Sequence, residues 1–193
     1  VIVVNDKIIG EGYHQCYGEA HAEVNAINNV ANKSLLKKAT LYVSLEPCSH
    51  TGKTPPCAEL IIKSGIKKVV VGTQDPNPIV GGKGIEKLKN RGIEVKEGIL
   101  QEQCLELNKR FFTYHEKQRP YVILKWAQTL DGFLDRIRDD ETQKINWISE
   151  PETKTIVHKW RSEEQSILVG RNTITNDNPS LTVRDYGGIN PIR

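Results

Sequence analysis

Residues 41–48, Leu41-Tyr42-Val43-Ser44-Leu45-Glu46-Pro47-Cys48, and the residues that follow, Pro55-Pro56-Cys57, decide how this chain is organised. The first five favour an extended strand, and Pro47, which lacks an amide donor, ends it. Pro55-Pro56 then opens a helix with Leu60 and Ile61 inside and Gly65 as its stop. Lys68-Val69-Val70-Val71-Gly72 is apolar enough to be a strand buried on both faces. Strand, helix and strand in this order make a crossover unit with parallel strands.

Outward from this centre the same alternation continues. Val1-Ile2-Val3-Val4 and Ile8-Ile9-Gly10, separated by Asn5-Asp6, predict a hairpin. Glu19 to Ala31 has apolar residues at Ala20, Val24, Ile27 and Val30, a helical spacing. Downstream, Asp75-Pro76-Asn77-Pro78 is a turn-forming loop before a helix that contains Ile85 and Leu88 and ends at Gly92. A strand is expected over Ile93 to Leu100 and one helix over Glu102 to Lys117. The fold class is therefore an α/β layered domain with a partly parallel sheet.

Glu116-Lys117-Gln118-Arg119-Pro120 is short, charged and proline-terminated, and divides the chain into residues 1–117 and 118–193. Beyond it, Tyr121-Val122-Ile123-Leu124 and Ser166-Ile167-Leu168-Val169-Gly170 predict strands, and Asp135 to Gln143 a surface loop. Ser149-Glu150-Pro151-Glu152 has the spacing of a capping box, opening a helix with Ile156, Val157 and Trp160 on one face. The chain begins within a strand and contains no methionine. The expectation is that its natural start is missing, together with an N-terminal helix, and that the second unit is the first part of a longer domain.

Composition narrows the function classes. With 193 residues, 37% hydrophobic and 26% charged, the chain is globular in type. No apolar run approaches the roughly 18–20 residues of a membrane helix. The net charge of +3 is not concentrated, since the densest basic runs are the pairs Lys37-Lys38 and Lys67-Lys68. A nucleic-acid binder needs a basic face, so neither nucleic acid nor membrane is an expected partner. Four cysteines, Cys16, Cys48, Cys57 and Cys104, without a leader segment point to a reducing cytoplasm.

His21, Cys48 and Cys57 carry the chemistry. One imidazole and two thiolates suit Zn²⁺, and three protein ligands leave a fourth tetrahedral position for water. Cys57, at a helix N-terminus, is favoured as thiolate. Glu23 stands two residues from His21, beside the metal rather than on it, and can move a proton between water and a leaving amine. A closed structural zinc, with His14 or His50 as fourth ligand, is the competing reading of the same residues.

The His-x-Glu and Pro-Cys…Cys pattern resembles the signature of zinc deaminases, but eight residues separate Cys48 from Cys57 instead of two. That lengthened loop, with Glu46-Pro47-Cys48-Ser49-His50-Thr51-Gly52-Lys53-Thr54-Pro55-Pro56-Cys57 and Asp75-Pro76-Asn77-Pro78, resembles the bifunctional riboflavin-biosynthesis deaminase/reductase family. The resemblance implies a cytidine-deaminase-like α/β/α layered domain followed by an incomplete dihydrofolate-reductase-like α/β domain. It implies hydrolytic removal of the 2-amino group of 2,5-diamino-6-ribosylamino-4(3H)-pyrimidinone 5′-phosphate, with Glu23 catalytic and His21, Cys48 and Cys57 holding one zinc. Lys53 would meet the substrate phosphate, and His14, His50, Asp75 and Asn77 would face the pyrimidine and ribose.

Lys125-Trp126-Ala127-Gln128-Thr129-Leu130-Asp131-Gly132, Asn146-Trp147-Ile148-Ser149, Gly170-Arg171-Asn172-Thr173 and Asp177 to Arg184 resemble the reductase half of that family. By that resemblance NADPH lies along Ala127, Trp147, Thr173 and Asp177, while Arg161, Leu181 and Arg184 hold the ribotide. Ile145 stands where the family often has serine, so the resemblance implies a substrate hydrogen bond that is either missing here or supplied by Asn146. Reductase turnover is not expected from residues 118–193 alone. The expected partner is a small pyrimidine ribotide, a homo-oligomer is compatible with the reading, and the rivals are a nucleoside or tRNA deaminase and a binding module without chemistry.

Overall fold

A computed structural model describes residues 1–78, 80–137 and 145–193. The chain divides into two compact units, Val1–Val122 and Ile123–Arg193. The first contains one five-stranded sheet. Strands β1 (Ile2–Val4) and β2 (Lys7–Gly10) form the expected hairpin, with Asn5 and Asp6 both at positive φ in its two-residue turn. Strands β3 (Thr40–Leu45), β4 (Lys68–Thr73) and β5 (Glu94–Glu97) are mutually parallel, and β1 joins β3 antiparallel, giving the order β2-β1-β3-β4-β5.

Helices α1 (Ala22–Asn28), α2 (Cys57–Ser64) and α3 (Lys83–Asn90) pack neighbour to neighbour, with α1 against β2 and α3 against β5. Their apolar faces close the core, where Ile2, Leu41, Ile61 and Leu88 are fully buried and Val69 and Val71 nearly so. Full burial of such a side chain contributes about 1.5–3 kcal/mol. Gly72 follows Val71 and faces the other way, as strand alternation requires. A Cβ there would come within 2.2 Å of Cys104 Sγ on α4 (Gln101–Leu107), which covers the opposite face of β4. The result is helix, sheet and helix in three layers.

Several sequence expectations are corrected. The first helix spans Ala22–Asn28 rather than Glu19 to Ala31, because His21 is extended and the side chains of Asn25 and Asn29 hold the preceding loop. A 3-10 helix at Lys33–Lys38, capped by Asn32, lies between α1 and β3. The expected strand Ile93 to Leu100 shortens to β5. The single helix Glu102 to Lys117 is two, α4 and α5 (Lys109–Lys117), broken at Asn108, whose side-chain amide donates to the Cys104 carbonyl.

The second unit contains α6 (Pro151–Glu163) and α7 (Arg171–Asp177). The capping box does not form: Glu150, not Ser149, is the N-cap, it makes no side-chain capping bond, and Pro151 takes the first helical position. Tyr121 to Leu124 and Ser166 to Gly170 are not strands; Ser166 makes only an isolated bridge to Ile192. A strand needs a ladder to satisfy its backbone groups, and among the described residues these segments have no more than that bridge. For the same reason the apolar stripe of α6 is not turned inward: Ile156 and Trp160 are exposed, and His158 is the buried residue. Most of the expected loop Asp135 to Gln143, from residue 138 on, lies outside the described residues.

Candidate active site

The three ligand candidates come from two helix N-termini and the loop that leaves β3. His21 is the extended N-cap of α1, and Cys57 is the first residue of α2, at 0% exposure. Cys48 sits in the loop that leaves β3, tied to α2 by its carbonyl, which accepts from Ala58 N at 3.0 Å. His21 Nδ1 lies 3.6 Å from Cys48 Sγ and 3.3 Å from Cys57 Sγ, and all three ligand atoms are within 4.8 Å of one another.

A tetrahedral zinc with its usual bond lengths sets nitrogen and sulfur ligands about 3.6 Å apart, so the donor set fits that ion in kind and in spacing. The thiols are already polarised. A hydrogen bond from Cys57 and the Cys57 backbone amide at 3.3 Å draw the Cys48 thiol down to about 5. Cys57, hydrogen-bonded to the Cys48 sulfur and buried, is pushed up. A divalent cation binds cysteine as thiolate, so its binding here would release the thiol protons.

Glu23 is in the first turn of α1 and only 7% exposed. Burial raises its carboxyl above the ordinary carboxylate range, and the Cys48 charge adds to the effect. A raised carboxyl holds a transferred proton more readily than an ordinary carboxylate does, which suits a group that must take one up and hand it on. His21 and Cys48 also line a cavity of about 240 Å³, together with His14, Tyr17, His50 and Lys53 among others; Glu23 is not in its lining. The His14 ring meets the His21 ring edge-on at 5.3 Å between centroids, and His14 Nδ1 is 3.1 Å from the Ala20 carbonyl. Lys53 Nζ stands 4.1 Å over the ring of Tyr17.

Asp75 and Asn77 follow β4 and are not in that lining; Asp75 Oδ1 accepts from Asn77 N at 2.8 Å. Burial raises the Asp75 carboxyl, while His50 and His115 lie near enough to oppose the shift. Sequence reasoning missed three supports. Asn25 donates to the Tyr13 and Ala20 carbonyls and so fixes the loop that bears His14. Tyr17 orders Lys53, and Glu46 is a buried carboxylate with four backbone donors. Glu46 was visible as an acid inside an apolar strand-to-loop junction; the other two left no signal.

In the second unit the structure brings together Arg161, His158 and the segment 181–185. Arg161 donates to the Thr182 carbonyl at 2.6 Å, and His158 Nδ1 accepts from Arg184 N at 3.1 Å while Nε2 faces Asp185 at 3.4 Å. Leu181, beside this cluster in sequence, has φ of 57°. Thr173 and Asp177 are one turn apart on α7. Ala127 lies in irregular chain, and exposed Trp147 precedes α6, with Lys154 Nζ 3.8 Å over its ring.

Two family models match: the cytidine and deoxycytidylate deaminase zinc-binding region over residues 1–73, and the RibD C-terminal domain over residues 120–193. The riboflavin biosynthesis protein RibD of Aquifex aeolicus is 52% identical over 95% of this chain and 50% of its own length. The RibD of Bacillus amyloliquefaciens is 52% identical over 95% of this chain and 48% of its own. The chain belongs to the RibD family of riboflavin-biosynthesis proteins.

Solved structures of the family agree. A diaminohydroxyphosphoribosylaminopyrimidine deaminase/5-amino-6-(5-phosphoribosylamino)uracil reductase of Thermotoga maritima is 48% identical and superposes with a TM-score of 0.89, over 99% of this chain and 53% of its own. Acinetobacter baumannii RibD gives 0.87 at 42% identity, over 98% of this chain and 52% of its own. The fold class is thus a cytidine-deaminase-like domain followed by the dihydrofolate-reductase-like RibD C-terminal domain. The chain spans about half the length of the curated relatives it matches. Among the described residues no helix is long and apolar enough to cross a membrane.

Proposed function

We propose that this protein acts in riboflavin biosynthesis as a zinc-dependent deaminase of 2,5-diamino-6-ribosylamino-4(3H)-pyrimidinone 5′-phosphate. The observation that carries this reading is the His21, Cys48 and Cys57 donor set with the buried Glu23 carboxyl beside it. These three residues would hold the zinc, which lowers the pKa of a water and so supplies a nucleophile at neutral pH. Glu23 would take one proton from the water as its oxygen bonds to the ring carbon bearing the 2-amino group, and give that proton to the amine as the carbon–nitrogen bond breaks, so that ammonia leaves and the oxygen stays on the ring. His14 and His50, which line the cavity, are assigned to the pyrimidine and ribose together with Asp75 and Asn77 from the loop after β4, outside that lining, and Lys53 is assigned to the phosphate.

The deaminase role is assigned to residues 1–117. Residues 118–193 are assigned to an NADPH-dependent reductase that acts on the ribosyl chain of the product. Ala127, Trp147, Thr173 and Asp177 are the cofactor residues in this reading, and Arg161, Leu181 and Arg184 bind substrate. The Thermotoga maritima relative, described as a deaminase and a reductase in one protein, supports the pairing. The setting is cytoplasmic and the partner a small ribotide, with a homo-oligomer as the proposed assembly.

Ammonia release from the diaminopyrimidine ribotide, measured beside cytidine and an adenosine-bearing tRNA stem-loop, tests the assignment. Turnover of the ribotide alone is expected. Turnover of cytidine or the stem-loop in its place would make the protein a nucleoside or tRNA deaminase, and zinc binding with no turnover would make it a binding module.

A further inference from the structure

Glu46 is 4% exposed, and four backbone N–H groups converge on its carboxylate. Oε2 accepts from Gly82 at 2.8 Å and Asp75 at 3.2 Å; Oε1 accepts from Gly84 at 2.8 Å and Ile85 at 3.2 Å. These donors cover the loop after β4 and the start of α3. Gly82, at φ of 80°, supplies a turn that few other residues adopt. Gly84 packs so closely on the Pro47 carbonyl that a Cβ would lie 1.9 Å from the oxygen. Glu46 and Pro47 thus grip this segment from one side, and Cys48, the next residue, faces His21 on the other.

We propose that Glu46 is a positioning residue for the deaminase, fixing Asp75 and Asn77 relative to the Cys48 ligand so that the ribotide is bound in register. The proposal rests on the reading of Asp75 and Asn77 as substrate contacts given above. A carboxylate suits the task because both oxygens accept, and hydrogen bonds to an ionised acceptor are about twice as strong as neutral ones. An amide of the same shape offers one accepting oxygen and turns an NH2 group toward two of the four donors. Glu46 touches no reacting atom in this account; it acts through the loop it holds.

The test is steady-state ammonia release by the zinc-loaded protein and its Glu46→Gln, Glu46→Asp, Asp75→Asn and Glu46→Gln/Asp75→Asn variants, with zinc content measured for each. Glu46→Gln is expected to keep its zinc and raise KM roughly tenfold to a hundredfold, with a smaller loss of kcat, the scale of lost support around a site. The double variant should bind no worse than the weaker single variant, because both changes remove one function. Amide exchange at Gly84 and Ile85 should quicken in Glu46→Gln, and Glu46→Asp should recover part of the KM. A folded, zinc-loaded Glu46→Gln with unchanged KM, or multiplicative effects in the double variant, overturns the proposal. If Glu46→Gln does not fold, Glu46→Asp carries the same comparison. A wild type that releases no ammonia from the ribotide overturns the functional reading and this role with it, whereas an active wild type with an indifferent Glu46 overturns this role alone.

Discussion

Lys53, proposed to meet the substrate phosphate, is held by a neighbouring ring. It is exposed, yet its ammonium lies over the Tyr17 ring, which restricts a chain that would otherwise sample many rotamers. A phosphate brought to that position meets a charge held partly in place. A charge-assisted bond of this kind contributes about 1.5–3 kcal/mol, so Lys53→Ala should raise KM for the ribotide by about tenfold to a hundredfold and leave kcat nearly unchanged. The same substitution should not affect the dephosphorylated substrate, and kinetics on the two substrates check this. An equal loss on both would move Lys53 away from the phosphate. The candidate donor cluster was legible at this scale because a metal accepts few residue types, and His21, Cys48 and Cys57 carry that chemistry in their identities. The role of Glu46 was not: it stood out as an acid at an apolar junction, but its four partners lie 29 to 39 residues downstream and no local pattern announces them.

At the scale of elements, the first unit followed its sequence where each piece had a partner in the same stretch of chain. The hairpin, β3, α2 and β4 are each confirmed by backbone pairing or by a buried face. The second unit departed because β-forming residues at Tyr121 to Leu124 and Ser166 to Gly170 have no ladder among the described residues. On α6 the expected apolar face gave way to His158, whose ring lies among Arg161, Arg184 and Asp185. Burial, and then the two arginines, lower the His158 pKa. The sign follows directly: as pH falls below about 6.5 the unfolded chain takes up a proton that the folded ring resists, so the unit loses stability toward acid and keeps it at higher pH. Amide-exchange protection of α6 between about pH 5 and 8 should fall on the acid side, and His158→Gln should flatten that dependence. Protection that rises on acidification would mean the Asp185 contact outweighs burial.

At the scale of the whole molecule, family membership and local chemistry meet in one place. The sheet exists in this order so that the C-terminal ends of β3 and β4 lead into the loops bearing Cys48 and Asp75, while α1 and α2 bring His21, Glu23 and Cys57 to the same point. Ligands commonly bind at the carboxyl ends of strands in open α/β sheets, and here the two key loops both start there. The central claim is that Glu23 moves the proton while His21, Cys48 and Cys57 hold the metal. Comparison of wild type with Glu23→Gln in ammonia release from the diaminopyrimidine ribotide, zinc content measured on both, tests it most directly. The account predicts equal zinc and a kcat lower by about 10²–10⁴-fold in the variant. A zinc-loaded Glu23→Gln that turns over at the wild-type rate would contradict it.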